Sequence, residues 1–284
     1  MARAKLPPTV RQRRLGSELR RLRERADLSA TRAGQLFGAT QARISYIEAG
    51  GYAVSAERVR ALARLYSCAD ERLVEALAGM TGGRTRGWWD EYRHVLPTAA
   101  LDLAELEHHA RFVRVVSVVH VPGLLQTPEH ARAVVSDVVP ALAPAEVERW
   151  VSHRIKRQGI LYGDASTPLT AVVHEAALRM AFGGRTTARA QLAVLLSRSE
   201  APNITLRIIP FAVGTFPSAG HSVDQIGGSI PELDTIQLDT DHGSWFLDAP
   251  SQLVRYRMML DRMEASSLSP DASRDLIRSI EKSL

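Results

Sequence analysis

The sequence predicts a mainly α domain of five helices at the N-terminus, followed by a larger α+β domain with a small mixed sheet. Within the first 80 residues, apolar residues recur at helical spacing in five stretches. Beyond residue 88, helical stretches alternate with short runs rich in valine and isoleucine, which are typical of strands. Between the two, residues 79–87 contain four glycines and no apolar run. We therefore expect domains at 1–80 and 88–284, joined by a linker at 81–87.

The second and third helices form a tight pair. Ser29 is a candidate N-cap for the second helix, and Gly38 stands where the chain leaves it in a left-handed conformation. Thr40 is positioned to cap the third helix, whose inner face carries Ile44 and Ile47. We expect the apolar side of the second helix to be completed by Leu36 and Phe37. The other three helices are indicated by apolar stripes at Leu15, Leu19, Leu22, Val59, Leu62, Leu65, Leu73, Val74 and Leu77, with Ser55 as the N-cap of the fourth.

The third helix presents a polar outer face made of Gln41, Ala42, Arg43, Ser45 and Tyr46. A short helix with polar N-terminal residues and a thin apolar seam is typical of a DNA recognition helix, which enters the major groove. The pattern alone is also compatible with a helical hairpin that has a solvated face.

The run from Leu15 to Tyr66 resembles the Cro/lambda-repressor-like (XRE) helix-turn-helix family over its full length. The resemblance implies base contacts for Gln41, Ala42 and Tyr46, with Thr40 and Ser45 on the same DNA-facing surface. It implies phosphate contacts for Arg32 and Arg43.

In the same family a buried acid pairs with an arginine of the first helix, and here Glu48 and Arg23 stand at those positions. The alternative for these two residues is an ordinary surface ion pair. The sequence departs from the family at Ala33 and Gly34, where Leu-Ala is usual, so we expect loose packing of the second helix.

Charge is distributed unevenly along the chain. Residues 1–66 hold 14 Lys/Arg and 5 Asp/Glu, a net charge of +9, whereas the remaining residues carry −4. A basic N-terminal region on a slightly acidic body is typical of a nucleic-acid-binding module attached to a second function. The single cysteine, Cys68, argues against a disulfide framework, and no apolar run reaches membrane-spanning length. We expect a cytoplasmic, nucleoid-associated protein with no membrane partner.

The second half of the chain yields a mixed series of elements. Proline after a capping residue marks a helix start at Thr127-Pro128, and Ser269-Pro270 marks another. Helices are expected at 102–110, from 128, at 144–161, up to 180, at 187–199, 251–265 and 271–283. Strands are expected at 112–119, 169–173, 204–210, 235–239 and 244–247.

These residues carry a second resemblance. The motifs WWDEY, VPGLLQTPEHARA, HRIKRQGILY, VVHEAALRMAFGG, PNITLRIIPF and SLSPDASRDLI are similar to the C-terminal domain of the actinobacterial WhiJ-like, or antitoxin-like, transcriptional regulators. Arginine dominance, with 33 Arg and 3 Lys, suits a GC-rich bacterial genome. The resemblance implies a DNA-binding regulator together with a small partner protein, often encoded nearby, that modulates DNA binding. The segment 220–248 departs from the usual pattern, since Asp224 stands at an apolar strand position.

Motifs of catalysis are missing from the sequence. It contains no HExxH, GxSxG, P-loop or GxGxxG, and its histidines lie at no metal-ligand spacing. We therefore expect no enzyme activity, no cofactor and no metal.

The sequence predicts a transcriptional regulator, with repression favoured over activation, that binds a palindromic double-stranded DNA operator as a homodimer. For the second domain, a protein partner would find apolar anchors at Leu124 and Leu125 and at the pair Trp88-Trp89, although paired tryptophans are more often core residues. Arg154 and Arg157 would suit an acidic partner or an anionic ligand. The alternatives are a small-molecule-sensing regulator, or an antitoxin-like protein that acts mainly through protein contacts.

Overall fold

The computed structural model describes residues 7–82, 86–217, 222–240 and 243–284. The chain forms two compact units. The N-terminal unit comprises Met1–Trp88 and Ser229–Leu233, and the C-terminal unit comprises Trp89–Gly228 and Asp234–Leu284. Residues 83–85 of the predicted linker lie outside the described residues.

The N-terminal unit contains the five predicted helices. Their ends are set by local hydrogen bonds: the hydroxyls of Ser29, Thr40 and Ser55 accept from the backbone N–H three residues on. Gly38 ends the second helix with a φ of 68°, as predicted. The helices are α1 (Val10–Arg25), α2 (Ala30–Phe37), α3 (Gln41–Glu48), α4 (Ala56–Leu65) and α5 (Glu71–Gly79).

The core of this unit corrects two expectations about α2. Leu36 is 47% exposed, so it does not belong to the buried side, which Ala33 and Phe37 form at i and i+4. The expected loose packing is also wrong. Ala33 is completely buried, and a Cβ added to Gly34 would lie 2.8 Å from the carbonyl oxygen of Ala39. Glycine therefore allows the chain after the turn to pass directly against α2.

Two residues distant in sequence complete this core. Ile230 and Leu233, in the second segment of the N-terminal unit, are 7% and 6% exposed and join the cluster formed by α1 to α5. The buried guanidinium of Arg14 donates to the carbonyl oxygen of Glu232. A fragment that ended at residue 80 would lack these contacts.

The C-terminal unit is built on one mixed sheet, as predicted. Its strands are β1 (Phe112–Ser117), β2 (Leu169–His174), β3 (Ile204–Ile209), β4 (Val223–Gly227), β5 (Thr235–Thr240) and β6 (Gly243–Leu247). Their order is β3-β2-β1-β4-β5-β6, with the first three parallel and the others antiparallel to their neighbours. The helices are α6 (Thr98–His108), α7 (Pro128–Ser136), α8 (Pro144–Arg157), α9 (Glu175–Arg179), α10 (Arg185–Arg198), α11 (Pro250–Ala265) and α12 (Pro270–Ser283).

Each face of the sheet is covered by helices. Valines that alternate along β1 divide between two clusters: Val113 and Val115 pack with residues of α10 and α12, and Val116 packs with residues of α11. The parallel strands are connected through helices on the face that α10 and α12 cover. Strands covered on both faces are mainly apolar, which explains the nearly continuous apolar runs of β2 and β3.

Strand β4 was not predicted. Its centre is Asp224-Gln225, two polar residues that argue against a buried strand. The structure satisfies Gln225, which is 2% exposed, because its amide donates to the carboxylate of Asp234 at 2.7 Å. Helix α6 also begins earlier than expected, at Thr98.

Candidate nucleic-acid interface

Helix α3 separates a buried seam from an exposed polar face. Ile44 and Ile47 are 1% and 3% exposed and anchor the helix in the core. The exposed face includes Thr40, Gln41, Ala42 and Tyr46, and Arg43 and Ser45 are half-buried beside it. All the residues predicted to face DNA from α3 therefore lie on one surface of the unit.

Contacts within the motif hold several of these side chains. The Gln41 amide donates to Ser45 Oγ at 2.9 Å, one helical turn further on. The guanidinium carbon of Arg43 lies 3.4 Å from the ring centroid of Tyr52, a cation–π contact that draws it towards the segment after α3. The ring of Tyr46 packs so closely on Gly51 that a Cβ there would lie 2.2 Å from its Cε2.

Tyr52 and Gly51 were missed by sequence reasoning. The sequence signal that could have identified them is an aromatic residue, Tyr52, directly after the glycine pair Gly50-Gly51 that follows α3.

Arg32 occupies the first turn of α2 and is exposed. Its Nη1 lies 3.5 Å from Gln35 Oε1, a long contact on the helix surface. The structure thus places an exposed cation near the N-terminus of α2, beside backbone N–H groups that favour anions.

A buried ion pair fixes the end of α3. Arg23 Nε and Nη2 donate to the two carboxylate oxygens of Glu48 at 2.6 and 2.9 Å, and Nη1 donates to the Leu28 carbonyl oxygen at 2.6 Å. The two side chains are 10% and 7% exposed. The hydrogen bond that Arg23 donates to Glu48 raises the pKa of Arg23 above its ordinary value. This bidentate geometry joins α1, α3 and the connection to α2.

Close backbone contact also sets the position of α3 against α1. A Cβ on Gly16 would lie 2.3 Å from the Glu48 carbonyl oxygen, and one on Gly50 would lie 2.7 Å from that of Gln12. Gly50 also has a φ of +73°, which favours glycine. Sequence reasoning missed both positions, because nothing local distinguishes Gly16 within the α1 stripe.

Three of the six residues predicted to meet a partner or an effector are part of the core. Trp89, Leu124 and Leu125 are 2%, 3% and 2% exposed, so they do not form a partner surface. For Leu124 and Leu125 the predicted assignment is wrong, whereas for Trp89 the burial agrees with the alternative that paired tryptophans are core residues. They are large apolar side chains that pack the interior of the C-terminal unit. Trp88 is half-buried in the N-terminal unit, and Arg154 and Arg157 are half-buried on α8.

Metal ligands are not gathered at any point of the described residues: no group of three His, Cys, Asp or Glu side chains there is placed to hold an ion. No helix in the described part of the chain has both the length and the apolar character needed to span a membrane.

The capped helices, the tight turn and the exposed polar face of α3 define the N-terminal unit as a helix-turn-helix DNA-binding domain. A family model described as a helix-turn-helix domain matches residues 14–77. A second model, described as a domain of unknown function (DUF5753), matches residues 100–279, more than half of the chain. The chain belongs to the DUF5753 family. Neither the curated proteins nor the solved structures give a significant match to it.

Proposed function

We propose that the protein is a sequence-specific transcriptional repressor that binds a palindromic DNA operator as a homodimer. The observation that carries the proposal is the face of α3, on which an exposed glutamine and an exposed alanine stand at the N-terminal end of a helix anchored by two buried isoleucines. A recognition helix reads base edges with its N-terminal residues.

The side-chain chemistry of each residue on this surface suits a particular contact with DNA. Gln41 can form two hydrogen bonds to adenine N6 and N7, and Ala42 can contact a thymine methyl group. Tyr46 extends the base-reading surface, and Thr40 and Ser45 supply short polar groups at its edge. Arg32 and Arg43 neutralise phosphates, which sets position and affinity without specifying sequence.

We infer a dimer because a single recognition helix covers only a short stretch of DNA. One helix of eight residues reads only a few base pairs, so two copies related by a two-fold axis would read half-sites about 34 Å apart. Occlusion of a promoter is the simplest consequence of such binding, and we assign the protein to repression on that ground.

The C-terminal unit is proposed to carry the regulatory input. The resemblance to the XRE family and to the actinobacterial WhiJ-like regulators supports a domain boundary near residues 81–87 and a small partner protein that modulates DNA binding. Since Trp89, Leu124 and Leu125 lie in the core and Trp88 belongs to the N-terminal unit, the apolar anchors predicted for that contact do not lie on the surface of the C-terminal unit.

Selection from a random pool of double-stranded DNA with the full chain tests the proposal. The full chain is needed because Ile230 and Leu233 belong to the core of the N-terminal unit. We expect enrichment of a palindrome with half-sites one helical turn apart, and binding that falls steeply as salt rises. Enrichment of no motif, with or without the product of a neighbouring gene, would contradict the proposal.

A further inference from the structure

The chain between β4 and β5 does not belong to the same unit as the two strands. Strand β4 ends at Gly227 and β5 begins at Thr235, both in the C-terminal unit, whereas Ser229–Leu233 belongs to the N-terminal unit. We refer to Ser229–Leu233 as the inserted segment. Since its ends are bonded directly to Gly228 and Asp234, any movement of these two residues acts on the inserted segment through the backbone.

Two apolar side chains hold the inserted segment in the core of the N-terminal unit. Ser229, Pro231 and Glu232 are exposed, whereas Ile230 and Leu233 are 7% and 6% exposed and belong to the cluster of α1 to α5. The backbone N–H of Leu233 donates to the Ile230 carbonyl oxygen at 3.0 Å, which closes a short turn between them. Connections between neighbouring strands are usually exposed and polar. The sheet therefore does not require these two apolar residues, and the N-terminal unit uses them.

Helix α1 contacts the backbone of the inserted segment through a buried arginine. Arg14 is 2% exposed, and its Nη2 donates to the carbonyl oxygen of Glu232. The same guanidinium donates from Nη1 to the carboxylate of Glu18, which is 4% exposed. Hydrogen bonds from a charged donor are stronger than neutral ones. Withdrawal of the inserted segment would therefore remove an acceptor from a buried cation on α1.

The two ends of the inserted segment are held together by Asp234, which is 2% exposed. Its Oδ1 accepts from the backbone N–H of Gly228 at 3.1 Å, and its Oδ2 accepts from the Gln225 amide at 2.7 Å and from Arg257 Nη2 at 3.0 Å. Gln225 lies on β4 and Arg257 on α11. The base of the inserted segment is thus fixed by a strand and a helix of the C-terminal unit.

The contacts of α1 continue to α3. Arg14 lies two residues before Gly16, where an added Cβ would lie 2.3 Å from the Glu48 carbonyl oxygen. The side chain of Glu48 is paired with Arg23 of the same helix α1. Because packed helices in such close contact move together, a displacement of α1 displaces α3.

We propose that the inserted segment is the connection through which the C-terminal unit controls α3. In one state Ile230 and Leu233 are docked and α1 and α3 are held in place. In the other state a change at Asp234 withdraws the two side chains from the core and loosens both helices. The consequence for DNA binding rests on the proposed function, whereas the loosening of α1 and α3 does not.

Hydrogen exchange followed by mass spectrometry on the full chain without DNA tests this connection. The Asp234→Asn variant keeps the shape of the side chain and removes the charge that Arg257 and Gln225 contact. It should accelerate exchange of the α1 and α3 amides at least about tenfold, although Asp234 belongs to the other unit. Arg257→Gln is a milder second variant, because Gln225 and Gly228 still donate to Asp234, and it should act in the same direction.

The matched control breaks another buried ion pair of the C-terminal unit. Arg157 donates from Nε and Nη2 to the carboxylate oxygens of Glu107 at 2.7 and 2.6 Å, and this pair joins α8 to α6. Glu107→Gln should therefore destabilise the same unit and leave exchange in α1 and α3 within about twofold of the wild type. Ile230→Ala tests the docking itself, and it should accelerate exchange in α1 while Asp234 keeps its partners.

DNA binding is measured separately, on the operator selected by the wild type. Asp234→Asn should weaken affinity at least about fivefold, and Glu107→Gln should leave it unchanged. A wild-type chain that selects no operator contradicts the proposed function, and the exchange measurement still decides whether the inserted segment couples the units. Unchanged exchange in α1 and α3 for both Asp234→Asn and Arg257→Gln would overturn the proposal. Equal acceleration by Glu107→Gln would overturn it as well, since the exchange would then report only the stability of the C-terminal unit.

Discussion

Two arginines, one in each unit, differ in how their charge is satisfied. In the N-terminal unit, Arg23 and Glu48 close on each other in bidentate geometry, with a further bond to a backbone carbonyl oxygen. In the C-terminal unit, Arg154 donates to the neutral side-chain oxygen of Gln126 at 2.9 Å and forms no ion pair within the described residues. The first arrangement fixes the end of α3, and the second leaves a half-buried guanidinium without a neutralising carboxylate within the described residues. The comparison shows that the role of a buried charged side chain can be interpreted only together with its hydrogen-bond and ion-pair partners.

Breaking the closed pair is expected to have the largest effect on stability. Glu48→Gln leaves Arg23 buried beside a neutral amide, and it should lower the free energy of unfolding by about 3 kcal/mol or more. Urea denaturation followed by circular dichroism measures the loss. The control is Glu75→Gln, which breaks the bidentate pair with Arg60 on an exposed surface and should leave the urea midpoint unchanged. Equal effects of the two substitutions would contradict the structural role of the buried pair.

A pH titration tests the buried side chain of His130 on α7. Burial and the charges of His120 and Arg154 lower the pKa of His130 to about 4, against an ordinary value of 6.5. The folded state therefore binds the proton less readily than the unfolded state, and stability is lost as pH falls from 6.5 towards 4. The shift corresponds to about 3 kcal/mol at acid pH. Because phenylalanine does not titrate, His130→Phe should flatten this part of the stability curve. An unchanged slope would show that His130 has the same pKa in the folded and unfolded states, which contradicts its burial as a neutral ring.

The close contact of α1 with α3 predicts a smaller effect. A Cβ on Gly16 would collide with the Glu48 carbonyl oxygen, so Gly16→Ala should cost about 1–3 kcal/mol by overpacking and displace α3. Gly79→Ala is the control, because a Cβ at Gly79 meets nothing within 4 Å. Chemical denaturation should separate the two variants, and DNA affinity should fall for Gly16→Ala alone. A Gly16→Ala protein with wild-type stability would mean that the two helices are farther apart.

Local chemistry explains why most of the N-terminal unit could be predicted from sequence. The caps Ser29 and Thr40 and the turn at Gly38 act on their own neighbours, so a local pattern identifies them. The contacts of Gly16 and Tyr52 join residues distant in sequence, and no local pattern reports them. Leu36 was misplaced for a related reason, since a run of apolar residues on a short helix does not show where its buried face ends.

In the C-terminal unit, apolar strands were recognised and the polar one was missed. Asp224 and Gln225 obscure β4, because Gln225 is compatible with a buried strand only through its bond to Asp234, nine residues away. The assignment of Leu124 and Leu125 to a partner surface failed because a sequence does not distinguish an apolar anchor on a surface from one in the core. Arg154 and Arg157 were singled out by charge alone, and their different partners become visible only in the fold.

The most direct test of the proposed function is binding of the full chain to its selected operator and to versions with each base pair substituted. The Gln41→Ala variant should lose about 1–3 kcal/mol on the operator and lose discrimination at one base position. Arg43→Ala should weaken binding to all sequences alike and reduce the dependence of affinity on salt. Gln35→Ala, on α2 of the same motif, serves as the control and should retain base discrimination. If Gln41→Ala discriminates every base pair as the wild type does, α3 does not read DNA as proposed here.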